Sequence, residues 1–205
     1  QGSYGQILKS SAMVGGSSAI TIVIGMVRTK AMAILLGPAG FGLFGLFGAV
    51  ANLTQTVAGM GVNSSGVRQI AEAAGTGDSV RVAQTTIVLR RVSVLLGLLG
   101  AALLIVFRRP MARLTFGSAD RAPEVALLSV AVFFTLVSAG QGALIQGMRR
   151  IADLAKMSIL GPLFGTIIGI ALVYFLRDRG VVPALIAVAA MAASASWWYS
   201  RRIRI

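Results

Sequence analysis

An all-α membrane protein, a bundle of six transmembrane helices, is what this sequence predicts, and three observations carry the prediction. Of the 205 residues, 56% are hydrophobic and only 12% are charged, against about 25% charged in an ordinary soluble domain. A disordered chain is excluded as well, because the bulk of the sequence is Ala, Val, Ile, Leu and Gly. The apolar residues fall into six runs, at 10–36, 40–61, 86–107, 122–146, 158–176 and 181–199, each close to the roughly 20 residues that cross about 30 Å of hydrocarbon. The runs lack the alternation of a lumen-facing β-strand, so helices, whose backbone bonds are satisfied internally, are expected.

The first run has no A-x-A-like cleavage pattern and reads as an uncleaved span. Gly37-Pro38-Ala39-Gly40 separates it from the second by a tight hairpin, which makes those two spans antiparallel neighbours. Between the second and third runs lies the longest polar stretch, Asn63 to Gln84. It reads as a short helix around Arg68-Gln69-Ile70-Ala71-Glu72, a glycine break at Gly75-Thr76-Gly77, and Asp78 capping the third span. The basic stretch from Arg108 to Arg121 is a loop before the fourth span. Pro162 sits near the start of the fifth, beside the Gly161, Gly165, Gly169 pattern that marks close helix packing in lipid. The sixth ends in Trp197-Trp198-Tyr199, an interfacial aromatic belt, followed by the positive anchor Arg201-Arg202-Ile203-Arg204.

Assigning the loops alternately to the two sides places Lys9, Arg68, Arg81, Arg90, Arg91, Arg149, Arg150, Lys156, Arg201, Arg202 and Arg204 on one side. Arg108, Arg109, Arg113, Arg121, Arg177 and Arg179 fall on the other. The excess puts both termini in the cytoplasm. The same distribution accounts for the formal charge of +13 as membrane anchoring, and no nucleic-acid partner is expected.

Cysteine and histidine are absent, which removes thiol nucleophiles, imidazole bases and most zinc, haem and iron-sulfur sites. Glu72, Asp78, Asp120, Glu124, Asp153 and Asp178 all lie in loops or at span edges. Paired catalytic carboxylates, a phosphate loop, a serine-nucleophile motif and an intramembrane proton relay are therefore missing. No catalytic residue, no metal and no cofactor is expected, and the chain reads as no enzyme.

The polar residues inside the spans are the candidates for function. Gly45, Gly48, Asn52, Gln55 with Thr56, Gly59 and Asn63 recur every three or four residues and share one helix face. Amides on such a face either bond across a helix contact or line a wet cavity. Ser11, Gly15, Ser18, Gly25 and Arg28 form a matching face in the first run, with Thr21 and Thr29 beside it. Arg28 and Lys30 are cations inside an apolar run, each costing about 2.5–3.5 kcal/mol at mid-membrane on insertion scales. They mark a pathway, or they snorkel to the headgroups from the outer end. Ser138, Gln141, Gly142 and Gln146 give the fourth run a polar face leading to Arg149-Arg150. The site expected from these residues is Arg28, Lys30, Asn52, Gln55, Asn63 and Gln141, with guanidinium suited to a phosphate through its bidentate fork.

Three blocks carry a resemblance: Ile24-Gly25-Met26-Val27-Arg28-Thr29-Lys30, Leu35-Leu36-Gly37-Pro38-Ala39-Gly40-Phe41-Gly42-Leu43, and Gly59-Met60-Gly61-Val62-Asn63-Ser64-Ser65-Gly66-Val67-Arg68-Gln69-Ile70-Ala71. It continues through Leu114-Thr115-Phe116-Gly117, the run Gln141 to Arg150, and Trp197-Trp198-Tyr199. The chain resembles the O-antigen and polysaccharide translocases, lipid-linked oligosaccharide flippases of the multidrug/oligosaccharidyl-lipid/polysaccharide (MOP) exporter superfamily. The resemblance implies that residues 1–205 are one six-helix lobe of a MATE/MOP-like two-lobe transporter, the N-terminal half, with the second lobe in another segment or chain. It implies a bacterial inner-membrane protein, and undecaprenyl-pyrophosphate-linked oligosaccharide as cargo moved by alternating access, with polysaccharide assembly proteins as further partners. It implies also that Arg28 and Lys30 are the positions resembling the family's phosphate-facing cations. A drug or metabolite exporter of the same superfamily and a non-transporting scaffold of a polysaccharide assembly complex are the competing readings.

Overall fold

The computed structural model describes residues 2–202, with side chains described over 12–202 apart from Val14. The side chains of Lys9 and Ser11, and Arg204, lie outside the described residues. Seven helices follow one another: α1 (Gly2–Gly59), α2 (Val62–Gly75), α3 (Ser79–Val106), α4 (Arg108–Phe116), α5 (Ala122–Gly147), α6 (Ile151–Leu176) and, after a 3₁₀ turn at Arg177–Gly180, α7 (Val181–Arg201).

Among the described residues, four stretches are long and apolar enough to cross a membrane: Gly15–Gly59, Ser79–Val106, Ala122–Gly147 and Ile151–Arg201. The first and last contain 45 and 51 residues, and at 1.5 Å per residue each would reach roughly 65–75 Å if straight. Each doubles back instead. Helix α1 breaks at Gly37 (φ 68°, ψ −177°), a backbone conformation open to glycine and strained for other residues. The break takes one residue rather than the four-residue hairpin expected, because Pro38 already opens the next helical run, where its missing N–H costs nothing. The other long stretch turns through the Arg177–Gly180 segment.

The two reversals hold each other. Arg177 donates from Nη1 to the carbonyl of Leu35 at 3.2 Å, one of the acceptors that a helix ending at Leu36 leaves unpaired. Asp178 lies against the first turn after the break, where a Cβ added to Gly40 would sit 2.7 Å from its Oδ1. A cation thus meets a helix C-terminus and an anion a helix N-terminus, the signs that the helix dipoles favour.

The contacts fix the directions of six long helical segments. Thr21 Oγ1 is 3.2 Å from the Ser158 carbonyl and Leu35 meets Arg177, so the first arm of α1 runs parallel to α6. Gly161, Gly165 and Gly169 face Ala192, Val188 and Ala184 in turn, so α7 runs back along α6. Gly97 faces Phe133 while Gly140 faces Ser93, so α3 and α5 are antiparallel. The second arm of α1 begins beside α4, with Phe47 and Phe116 ring centroids 4.8 Å apart, and ends where Gly59 faces Leu136. It therefore runs parallel to α5 and opposite to the first arm. Near the break the arms share a cluster of Met32, Phe41 and Phe44 with Val173. Farther out, the first arm lies on α6, and the second on α3 and α5.

Helix α5 is the hub. Val125, Leu128, Val132 and Leu136 pack with Phe47, Val50, Leu104 and Val181 in the main cluster. Ala143, Leu144 and Ile145 pack with Ile70 of α2 and Leu89 of α3 in a second. The outward faces are as apolar as this core: Ile34 is 73% exposed and Phe175 80%. Helices hydrophobic all round belong in lipid, so the chain is a multi-pass membrane protein.

Two local expectations meet the structure directly. Asp78 caps α3 by accepting from the backbone N–H of Val80 at 2.9 Å and of Arg81 at 3.2 Å. The stretch from Arg108, expected as a loop, is instead the helix α4, closed by Gly117 at φ 75°. Its three arginines and Pro110 obscured one buried stripe, where Met111, Ala112 and Phe116 join the main cluster.

The α6–α7 seam is backbone against backbone, since a Cβ on Gly165 would lie 2.5 Å from Val188 Cα. Gly45 by contrast has nothing within 4 Å. Gly165→Ala is expected to destabilise the protein by about 1–3 kcal/mol through overpacking, whereas Gly45→Ala gains up to about 1 kcal/mol from helix propensity. Thermal unfolding of the two variants in detergent reads the opposite signs.

Candidate functional site

The amide stripe of the second arm borders an open cavity of about 440 Å³, with Gln55 half-buried and Asn52, Thr56 and Asn63 exposed at its rim. Asn52, Gln55, Thr56 and Gly59 line it from α1, Asn63 from the start of α2, Ser93 and Leu96 from α3, and Thr135, Leu136, Ala139 and Gly140 from α5. The turn that brings Asn63 round to the same space is made by Met60 and Gly61, both at positive φ (43° and 70°).

The hydroxyls of the wall spend their protons on their own helices. Thr56 donates to the Asn52 carbonyl at 2.9 Å, Ser93 to Leu89 at 2.8 Å and Thr135 to Ala131 at 2.9 Å. Their lone pairs remain available as acceptors. The side-chain amides of Asn52, Gln55 and Asn63 make no hydrogen bond to another described group. The wall thus offers both donors and acceptors and carries no charged side chain. That balance suits a neutral ligand rich in hydroxyls, whose groups each donate and accept, better than a bare ion.

The six expected residues do not form one site. Asn52, Gln55 and Asn63 come together in this cavity, and neither Arg28 nor Lys30 lines it. Arg28 lies on the stripe of the first arm that packs on α6, between Thr21, which reaches Ser158, and Met32, which packs with Val173. It is half-buried, and its Nε and the Oγ1 of Thr166 are buried without a partner among the described residues. Lys30 is exposed on the other side of the arm.

Gln141 is 3% exposed and accepts from Ser200 Oγ at 2.6 Å. It lines a separate groove between α5 and α7, on the far side of α5 from the amide cavity. Ser93 and Thr135, which complete the cavity wall, were not among the expected residues. Each is a single hydroxyl in an apolar run, and only the pairing of α3 with α5 turns it toward Gln55.

A family model described as polysaccharide biosynthesis protein matches residues 7–204. No curated protein and no solved structure gives a match.

With no native cysteine, single cysteines report water access cleanly. Cysteine at Gln55, Asn63 or Thr135 is expected to react with a water-soluble maleimide in intact membranes. Cysteine at the outward-facing Leu53 or Val57, both more than half exposed, is expected to stay protected by lipid. Equal labelling of the two sets would mean that the cavity is not wet.

Proposed function

The chain belongs to the polysaccharide biosynthesis protein family, and on that premise we propose that it is one lobe of a lipid-linked oligosaccharide flippase. Its cargo is an undecaprenyl-pyrophosphate-linked sugar unit, carried from the cytoplasmic to the periplasmic leaflet of a bacterial inner membrane. The observation that carries the reading is the neutral, amide-lined cavity on the second arm of α1.

The six long segments are taken as six crossings, with both ends of the lobe and α2 on the cytoplasmic side. Arg81, Arg90, Arg149, Arg150, Arg201 and Arg202 cluster at that end, as the positive-inside bias requires. A second six-helix lobe, from another segment or another chain, closes the pathway, and the two rock about the site in alternating access.

Within this lobe the sugar hydroxyls meet Asn52, Gln55 and Asn63, which have unspent hydrogen-bonding capacity. The polyprenyl tail stays in the bilayer. Arg28 and Lys30, in the half of the first arm nearer Gly37, meet the pyrophosphate on its way to the far leaflet. The chemistry separates along the path: neutral donors and acceptors for sugar, cations for phosphate. A drug exporter for lipophilic cations fits less well, because the cavity holds no carboxylate to offset such a charge. A scaffold gives the three amides gathered at this cavity no use other than pairing across a helix contact.

Proteoliposomes containing the protein with its second lobe, loaded with a fluorescent lipid-linked oligosaccharide, give the test. Each sugar hydrogen bond is worth about 0.5–1.5 kcal/mol, so Asn52→Ala with Gln55→Ala is expected to slow translocation roughly tenfold while leaving the melting temperature unchanged. Arg28→Ala is expected to slow it at least as much. Undiminished transport in both variants would remove the assignment of this cavity and of Arg28.

A further inference from the structure

The groove beside Gln141 has a chemistry of its own. It encloses about 710 Å³ between α5 and α7. Phe133, Phe134 and Val137 form an apolar wall, and Trp197, Trp198, Arg201 and Arg202 form its mouth, at the end of the bundle where α7 stops.

The mouth is built of guanidinium on indole. Arg201 lies 4.7 Å from the Trp197 ring centroid and Arg202 5.2 Å from that of Trp198. Arg90 approaches Trp197 from α3 at 5.8 Å. A guanidinium held over a ring face can still direct N–H groups outward, and these form the fork that grips phosphate oxygens. Beneath them Arg90 donates to Ser200 Oγ at 3.4 Å, and Ser200 donates to Gln141 at 2.6 Å. This chain of polar contacts fixes the height of the mouth above the apolar wall.

Nothing in the described structure neutralises this cluster. The ion pairs among the described residues are Arg121 with Glu124 and Arg150 with Asp153, so Arg90, Arg201 and Arg202 have no carboxylate partner. Arg90 Nε is moreover buried without a bond. Concentrated positive charge over an apolar trough between helices, at the membrane surface, complements a ligand with a phosphate at one end and hydrocarbon at the other.

We propose that the α5–α7 groove binds an anionic phospholipid of the leaflet at that end, its phosphate between Arg201 and Arg202 and one acyl chain along Phe133, Phe134 and Val137. This site is separate from the amide cavity and does not rest on the cargo assignment. Its role is to hold α7, and through Gln141 and Ser200 the central helix α5, to a defined depth in the bilayer.

The test titrates the purified protein in detergent with phosphatidylglycerol, phosphatidylcholine or undecaprenyl pyrophosphate, counting bound lipid by native mass spectrometry. Phosphatidylglycerol is expected to be retained over phosphatidylcholine. At about fivefold per basic residue, Arg201→Gln with Arg202→Gln weakens it about 25-fold, and lysine at both positions restores most of the loss. Arg108→Gln with Arg109→Gln, at the opposite end, leaves retention unchanged. Ser194→Trp, at an exposed position on the groove's lining, fills the groove while keeping both arginines, abolishes retention as well and covers the case in which the double glutamine variant does not fold. Equal retention of the two phospholipids, retention surviving both the glutamine pair and Ser194→Trp, or preferential retention of undecaprenyl pyrophosphate in the groove would each overturn the proposal.

Discussion

Two helical arms that meet at a sharp corner leave carbonyls and amides without intrahelical partners, and the rest of this fold depends on how that is met at Gly37. The break is supported from outside, by Arg177 on the carbonyl side and by Asp178 beside the first turn of the second arm. Those two residues belong to the reversal between α6 and α7, so one clamp serves both corners. With the corner fixed, the first arm is committed to the surface of α6 and the second to α3 and α5. That divergence brings the amide face of the second arm onto α5 and produces the cavity.

The helix seams are not equivalent. Between α6 and α7 the glycines at 161 and 165 leave no room for a Cβ, and α2 meets α5 as closely, a Cβ on Gly147 falling 2.6 Å from Ile70 Cβ. These seams pack like a solid, with dispersion and close backbone approach replacing the hydrophobic drive that lipid does not supply. Between the second arm and α5 the packing opens, and there the polar side chains collect. Charge follows the same division, with cations at the two ends of the bundle and in the α1–α6 seam and only neutral groups in the cavity. Under the proposed function, a headgroup that is sugar at one end and pyrophosphate at the other would meet matching chemistry in both places.

Much of this was legible in the sequence, and the remainder was hidden for definite physical reasons. The membrane character, the Asp78 cap and the close packing at Gly161, Gly165 and Gly169 follow from composition and local rules. Turning 100° per residue places Asn52 and Gln55 on one face of α1, whereas Asn63 reaches the same cavity through the turn at Met60 and Gly61. Periodicity describes one helix at a time, however, and it does not say which faces meet. It therefore grouped Arg28 with the amides, although the break at Gly37 carries Arg28 to the α6 side. It likewise grouped Gln141 with them, although α5 turns Gln141 toward α7 and Ser200. Helix α4 escaped because an interfacial helix buries one narrow stripe, and three arginines and a proline in nine residues outweigh it.

The central claim is that sugar passes along the amide face of the second arm. A lipid-linked oligosaccharide carrying a diazirine on its sugar, photolysed during transport in proteoliposomes and mapped by peptide mass spectrometry, tests it most directly. The claim predicts crosslinks within residues 52–63 and 135–140. Crosslinks confined to the outer faces of α6 and α7, with transport intact, would contradict it.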